Sequence, residues 1–298
     1  MSSGVISPGW FDHLSTTDLS LLSQVADQAG VPPEAVAGNP NALTKVLTHP
    51  RTFDQLFPAR ENGVFPPSTP ALVPASPFLT FAVVVHRSWA DLQQANYVDE
   101  WVGPRQRLPV LGGDDLRDFL ASDQRRLFLT ELLTSYTRVT SGSTWVHTTR
   151  GWRRRRYSDL DPVRLSSLLE VVPETERPGV YRRLGDLALF LTGVFPDHTE
   201  LHGLGTVDEA RLLRMSGLPE REANSGPPVP EGAVGLLERL GEHWYRRAIG
   251  SLRGPVTGTM SVVAEVAERF GPARRTLNYV TDRHLFAGRG HWFGQEAS

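Results

Sequence analysis

The densest group of basic and aromatic side chains in the chain lies in two short segments rich in residues that favour β-strands. Its members are Trp145, Trp152, Arg153, Arg154, Arg155 and Arg156. Arginine binds phosphate through paired N–H donors, and aromatic rings stack on bases and on guanidinium groups. These side chains therefore predict a binding surface for nucleic acid, for another polyanion or for an acidic protein.

The same two segments predict a β-hairpin over about residues 144–157, with Arg150 and Gly151 as a two-residue turn. With that turn, Trp145 is expected opposite Arg156, where an exposed stacked pair contributes about 0.5–1 kcal/mol. The alternative is that the arginines pair with acids of the fold. The acids that follow most closely in the sequence are Asp159, Asp161 and Glu170.

Three other side chains have the chemistry of an acid–base site. Asp186 and Glu131 lie in otherwise apolar helical patterns, and His243 lies in an amphipathic one. A buried carboxylate has a raised pKa and can exchange a proton with a substrate. The alternative is a structural ion pair, because Arg182 precedes Asp186 by one helical turn. The corresponding candidates near Glu131 are Arg125, Arg126 and Arg138.

His198 and His202 are four residues apart, so on a helix they share a face and could hold one metal ion together. The neighbouring sequence offers no third ligand, and His243 or Glu131 could supply it only through the tertiary fold. The alternative is a solvated helix end or loop.

The composition excludes several classes of site. The chain has no cysteine, which rules out thiolate metal sites, disulfides and cysteine nucleophiles. Its one lysine, Lys45, lies outside any glycine-rich motif, so Walker-type ATP or GTP binding and lysine-linked pyridoxal phosphate are not expected. The formal net charge is -2, so attraction to a polyanion requires a local basic patch.

The hydrophobic pattern predicts an all-α fold, a bundle-like body of several helices with one β-hairpin. The most apolar helix covers residues 184–194 and is expected at the centre of the bundle. Gly185 and Gly193 within it predict the close approach of a neighbouring helix. Residues 103–113, with two prolines and three glycines, predict a turn-rich connection.

Proline and glycine also indicate the domain organisation. A proline-rich connection at 58–77 follows a small N-terminal helical segment at 1–57. The main helical domain is predicted to cover 78–286, with a mobile Pro/Gly-rich loop at 217–232. A loose tail at 287–298 completes the chain.

Residues 185–196 form the pattern Gly-Asp-x-Ala-Leu-Phe-x-x-Gly-x-Phe-Pro. This pattern resembles one shared by a group of uncharacterised helical proteins from GC-rich bacteria, and the resemblance extends over 78–200 and 233–286. It implies a helical fold and a bacterial source. It attaches no activity, cofactor or partner to the chain.

The first twelve residues contain neither a basic region nor an apolar run, so they do not form a secretory signal. No uninterrupted apolar run, such as that at 81–85, exceeds five residues, far fewer than the roughly 20 that span a bilayer. The sequence therefore predicts a cytoplasmic protein without a membrane partner.

Two classes of function follow from these patterns. We favour a non-catalytic binding or adaptor protein that uses the Arg/Trp hairpin, because the basic cluster is the sharpest chemical feature of the sequence. The second class is an enzyme with a helical site of Asp, Glu and His. One version of this alternative uses a bound metal ion. The sequence indicates no substrate, specific partner, cofactor or oligomeric state.

Overall fold

The computed structural model of the chain describes residues 7–57, 75–138, 141–148, 151–158, 160–218, 232–252 and 255–285. These residues form a mostly helical structure, which confirms the all-α prediction. The helices are α1 (Thr16–Ala26), α2 (Pro40–Thr48), α3 (Pro50–Leu56), α4 (Pro77–Gln94), α5 (Asp114–Ala121), α6 (Asp123–Ser135), α7 (Pro162–Ser166), α8 (Arg177–Val194), α9 (Pro196–His202), α10 (Thr206–Ser216), α11 (Ala233–Gly250), α12 (Thr259–Glu268) and α13 (Phe270–Val280). The strands are β1 (Tyr97–Gly103), β2 (Gln106–Leu111), β3 (Ser141–Thr148) and β4 (Gly151–Ser158).

Contacts divide the chain into two compact units. The described residues of Met1–Val98, Leu111–Thr137 and Tyr279–Ser298 form the first unit, and those of Asp99–Val110 and Arg138–Asn278 form the second. Residues 58–74, 219–231 and 286–298 lie outside the described residues. They contain most of the predicted connection, mobile loop and tail, so those three features stay predictions.

Helix α4 organises the first unit by packing against α2, α3, α5 and α6. Its consecutive residues Val83, Val84 and Val85 are completely buried, so the middle of α4 is covered over more than half of its circumference. The start of α4 is joined to α1 through Asp18, which is itself buried. One oxygen of that carboxylate accepts the Ser15 N–H of the α1 capping box at 3.0 Å, and the other accepts the Ser76 N–H at 2.8 Å.

Two glycines of α8 permit close packing in the second unit, Gly185 against α11 and Gly193 against α13. A Cβ atom on Gly185 would lie 2.4 Å from the ring of Tyr245, and one on Gly193 would lie 2.7 Å from Cβ of Leu277. The prediction that these two glycines mark a close neighbour is therefore confirmed. None of the described helices has both the length and the apolar composition that a bilayer crossing requires.

The predicted hairpin over 144–157 is present as the antiparallel pair β3–β4, but its predicted register is wrong. Trp145 pairs with Arg154 and not with Arg156, and Gly151 pairs with Thr148 inside the sheet. The residues between the strands are therefore 149 and 150, one position earlier than predicted, and they lie outside the described residues. Glycine at position 151 resembles a turn residue locally, yet strand pairing continues through it.

A second hairpin, β1–β2, occupies much of the segment that was expected to be a turn-rich connection. Pro104 and Arg105 connect its strands, and Arg105 has a left-handed φ of 59°. Pro109 lies within β2 and has no N–H to donate. The sequence did not predict these strands, because proline and glycine usually interrupt regular secondary structure.

Candidate functional site

The β3–β4 register sets the layout of the predicted binding residues. Trp145 pairs with Arg154, His147 with Trp152, and Ser143 with Arg156. Because successive residues of a strand alternate between faces, these six positions belong to one face of the hairpin. The side chains of the hairpin lie outside the described part of the structure, and the register determines only their positions along the backbone.

The opposite face carries the other two arginines of the run. Val146 pairs with Arg153, and Thr144 pairs with Arg155. Residues two apart on a strand are separated by about 7 Å along the backbone, so each face carries two arginine positions at that spacing. The difference between the faces is aromatic, since both tryptophan positions share the face of Arg154 and Arg156.

Asp161 was one of the acids predicted as an alternative partner of these arginines. Its carboxylate accepts hydrogen bonds from N–H groups at the start of α7. Its Oδ1 accepts hydrogen bonds from the N–H groups of Val163 and Arg164, both at 3.0 Å. Its Oδ2 also lies 3.0 Å from Nε of Arg164. This carboxylate is thus the N-cap of the helix that follows the hairpin.

Asp186 is buried and surrounded by hydrogen-bond donors. Nε of Arg182 lies 3.0 Å from Oδ1 and 3.2 Å from Oδ2, and the hydroxyl of Tyr245 donates to Oδ1 at 2.8 Å. Burial raises the pKa of Asp186 above its usual value, while Arg182 and Tyr245 oppose that effect. The Arg182 pairing that the alternative predicted is observed, and the Tyr245 hydrogen bond joins α8 to α11. An acid–base role for Asp186 stays a prediction.

The other two acid–base candidates have their own neighbours. Oε1 of Glu131 lies 3.0 Å from Nε2 of His13, a partner that the sequence did not indicate. Nε2 of His243 lies 3.0 Å from the carbonyl oxygen of Ser216. Glu131 belongs to the first unit, whereas Asp186 and His243 belong to the second.

His198 and His202 lie on α9, and their rings stack with centroids 5.2 Å apart. The predicted common helix face is therefore present. In the ranges that the structure describes, no three His, Cys, Asp or Glu side chains come together as a metal site. Glu200, between the histidines, accepts the N–H of Val234 at 2.9 Å at the start of α11.

Asp197 is an anchor that the sequence did not reveal. It accepts hydrogen bonds from the Trp101 indole at 2.7 Å, the Arg105 N–H at 2.8 Å and the Arg107 guanidinium at 3.1 Å. Partial burial raises its pKa, but these donors outweigh that effect and hold the pKa below its usual value. All three donors come from the β1–β2 hairpin, so Asp197 attaches that hairpin to α9.

Comparison of the chain with protein-family models, with curated proteins and with solved structures gave no match. The resemblance drawn from residues 185–196 therefore stays a prediction.

Proposed function

We propose that this chain is a cytoplasmic bacterial protein without catalytic activity that binds nucleic acid through the β3–β4 hairpin. The observation that carries the proposal is a local excess of charge. Residues 141–158 contain five arginines and no acid, within a chain of net charge -2. A positive patch on a nearly neutral protein attracts phosphate locally without attracting polyanions to the whole surface.

The hairpin geometry supports nucleic acid over an acidic protein surface. Trp145 and Trp152 occupy the same face as Arg154 and Arg156. Arginines at strand positions about 7 Å apart match the spacing of successive backbone phosphates, while tryptophan offers a stacking surface to bases. An acidic protein surface would use the arginines but would have less use for two tryptophans on the same face of the hairpin.

The enzyme alternative has weaker support. Asp186 is held by Arg182 and Tyr245, and Glu131 is paired with His13. The histidine pair on α9 has no third ligand among the described residues.

The test is fluorescence anisotropy of labelled single-stranded and double-stranded oligonucleotides over a series of salt concentrations. Four to six arginine–phosphate contacts give a log–log slope of about −3 to −5. The double variant Arg153→Ala, Arg155→Ala is expected to bind more weakly and to reduce the magnitude of the slope by about 1.5–2.

The matched control is the double variant Arg164→Ala, Arg246→Ala, which removes the same charge from two exposed positions of the second unit. It should bind as the unchanged chain does. Absence of binding at low salt, or equal losses in both double variants, would contradict the proposal. Displacement of the labelled oligonucleotide by polyglutamate at a lower concentration than by unlabelled oligonucleotide would identify an acidic protein as the partner.

A further inference from the structure

A second cluster of charged groups lies in the first unit, far from the hairpin in sequence, around the carboxylate of Asp91 on α4. Nε of Arg87 lies 3.1 Å from its Oδ1, and Nε of Arg283 lies 3.0 Å from its Oδ2. One carboxylate thus holds two guanidinium groups close together. Both contacts are made through Nε of the arginine.

A π-helical turn at Thr281–Leu285 brings Arg283 and His284 to this carboxylate. Such turns are rare and frequently occur at functional sites. Nε2 of His284 lies 3.5 Å from Oδ2 of Asp91, which is too long for a good hydrogen bond. Among the described residues, this buried nitrogen has no hydrogen-bond partner.

The phenol of Tyr279 completes the cluster. Its ring centroid lies 5.9 Å from the guanidinium carbon of Arg283, and the residue is 7% exposed. Its hydroxyl is also buried without a hydrogen-bond partner in the described part of the chain. Leaving buried polar atoms without a partner is costly, so the Tyr279 hydroxyl and the His284 Nε2 beside this ion cluster indicate that a polar partner is missing.

Aromatic contacts hold the cationic groups in place. The guanidinium of Arg87 lies 5.9 Å from the ring centroid of Phe53, and the same ring packs edge-on against His284 at 5.2 Å. Burial, together with the two arginines, lowers the pKa of His284 to about 4 although Asp91 opposes the effect. At neutral pH the histidine is therefore uncharged, and two arginines with one carboxylate leave a net charge of +1.

We propose that Arg87, Arg283 and Tyr279 form a binding site for an oxyanion, the phosphate or carboxylate group of a small ligand. Asp91 is the positioning residue that aligns the two guanidinium groups. The Nη groups donate to the ligand oxygens, which balance the excess charge, and the phenol donates a further hydrogen bond. The site uses no residue of the hairpin and does not depend on its proposed function.

The test is a thermal-unfolding titration of the full chain with sodium phosphate at pH 7, against sodium chloride at equal ionic strength. A ligand that binds the folded state raises the melting temperature with its concentration. Phosphate is expected to stabilise the chain beyond chloride. A parallel titration with sodium acetate distinguishes the two ligand groups, because the stronger stabiliser identifies the oxyanion that the site accepts.

Three variants make the result specific. Arg283→Gln removes a cation whose side chain is 56% exposed, so folding is expected to persist while phosphate affinity falls about tenfold or more. Tyr279→Phe removes only the buried hydroxyl, so it should keep or raise the ligand-free stability while weakening phosphate binding. Arg164→Gln, on α7 of the second unit, has the same charge change and should titrate as the unchanged chain does.

The proposal is overturned if neither phosphate nor acetate exceeds chloride. It is also overturned if Arg283→Gln and the unchanged chain titrate alike, or if Tyr279→Phe leaves phosphate binding unchanged. The hairpin variant Arg153→Ala, Arg155→Ala should keep the phosphate response, and its loss there would assign the anion to the hairpin instead.

Discussion

The hydroxyl of Tyr245 donates a 2.8 Å hydrogen bond to Asp186 while its ring lies against Gly185, the residue just before that aspartate. One side chain on α11 thus satisfies a buried charge on α8 and fills the space left by a missing Cβ. The glycine is required because the ring approaches the backbone of α8. The buried aspartate is tolerated because hydrogen bonds from the Tyr245 phenol and from Arg182 stabilise its negative charge.

The hydrogen bond predicts the effect of Tyr245→Phe, which keeps the ring and removes the donor. The carboxylate then loses its hydrogen bond from α11 and retains the arginines of α8, and we expect a loss of about 1–3 kcal/mol in the free energy of unfolding measured in urea. Tyr181→Phe is the control, because that hydroxyl only accepts a long 3.3 Å hydrogen bond from Arg247. Equal losses in the two variants would assign the effect to general packing and not to the buried charge.

Two glycines of α8 should respond oppositely to alanine. Gly185→Ala places a Cβ 2.4 Å from the Tyr245 ring and should destabilise the chain by about 1–3 kcal/mol. Gly179→Ala, where nothing lies within 4 Å, should stabilise it by up to about 1 kcal/mol through helix propensity. Denaturant unfolding of each variant measures the change in its free energy of unfolding. Stabilisation by both would mean that α8 and α11 pack less closely than described.

The raised pKa of Asp186 predicts a pH dependence of stability. Between the usual pKa of 3.8 and the raised value, the folded state binds more protons than the unfolded state. The free energy of unfolding should therefore fall as pH rises through that interval. Urea unfolding across pH should show this decline in the unchanged chain and not in Asp186→Asn. Parallel curves for the two proteins would exclude Asp186 as the source.

The hairpin register predicts that its two faces differ in nucleic-acid binding. Arg154→Ala with Arg156→Ala should cost more affinity than Arg153→Ala with Arg155→Ala, because the first pair shares its face with both tryptophan positions. Each double variant removes the same charge, so the difference measures the contribution of the face. Anisotropy at one fixed salt concentration is sufficient. Equal losses would indicate a purely electrostatic contact that uses both faces.

Local patterns in the sequence determined most of the helices and one of the hairpins. The serine–proline start of α4, the apolar run of α8 and its glycines all act within a few residues, so their physical meaning is readable without the fold. The pairing of Arg182 with Asp186 was predictable for the same reason, since both lie on one helix face one turn apart.

Only the tertiary structure decided the contacts between distant segments. Tyr245 reaches Asp186 across 59 residues of sequence, and Arg283 reaches Asp91 across 192. Proline and glycine concealed the β1–β2 hairpin, and the β3–β4 register differed from the one that a local turn pattern suggested. The physical reason is that local propensities select the type of an element, whereas its partners depend on which surfaces the whole chain can bury together.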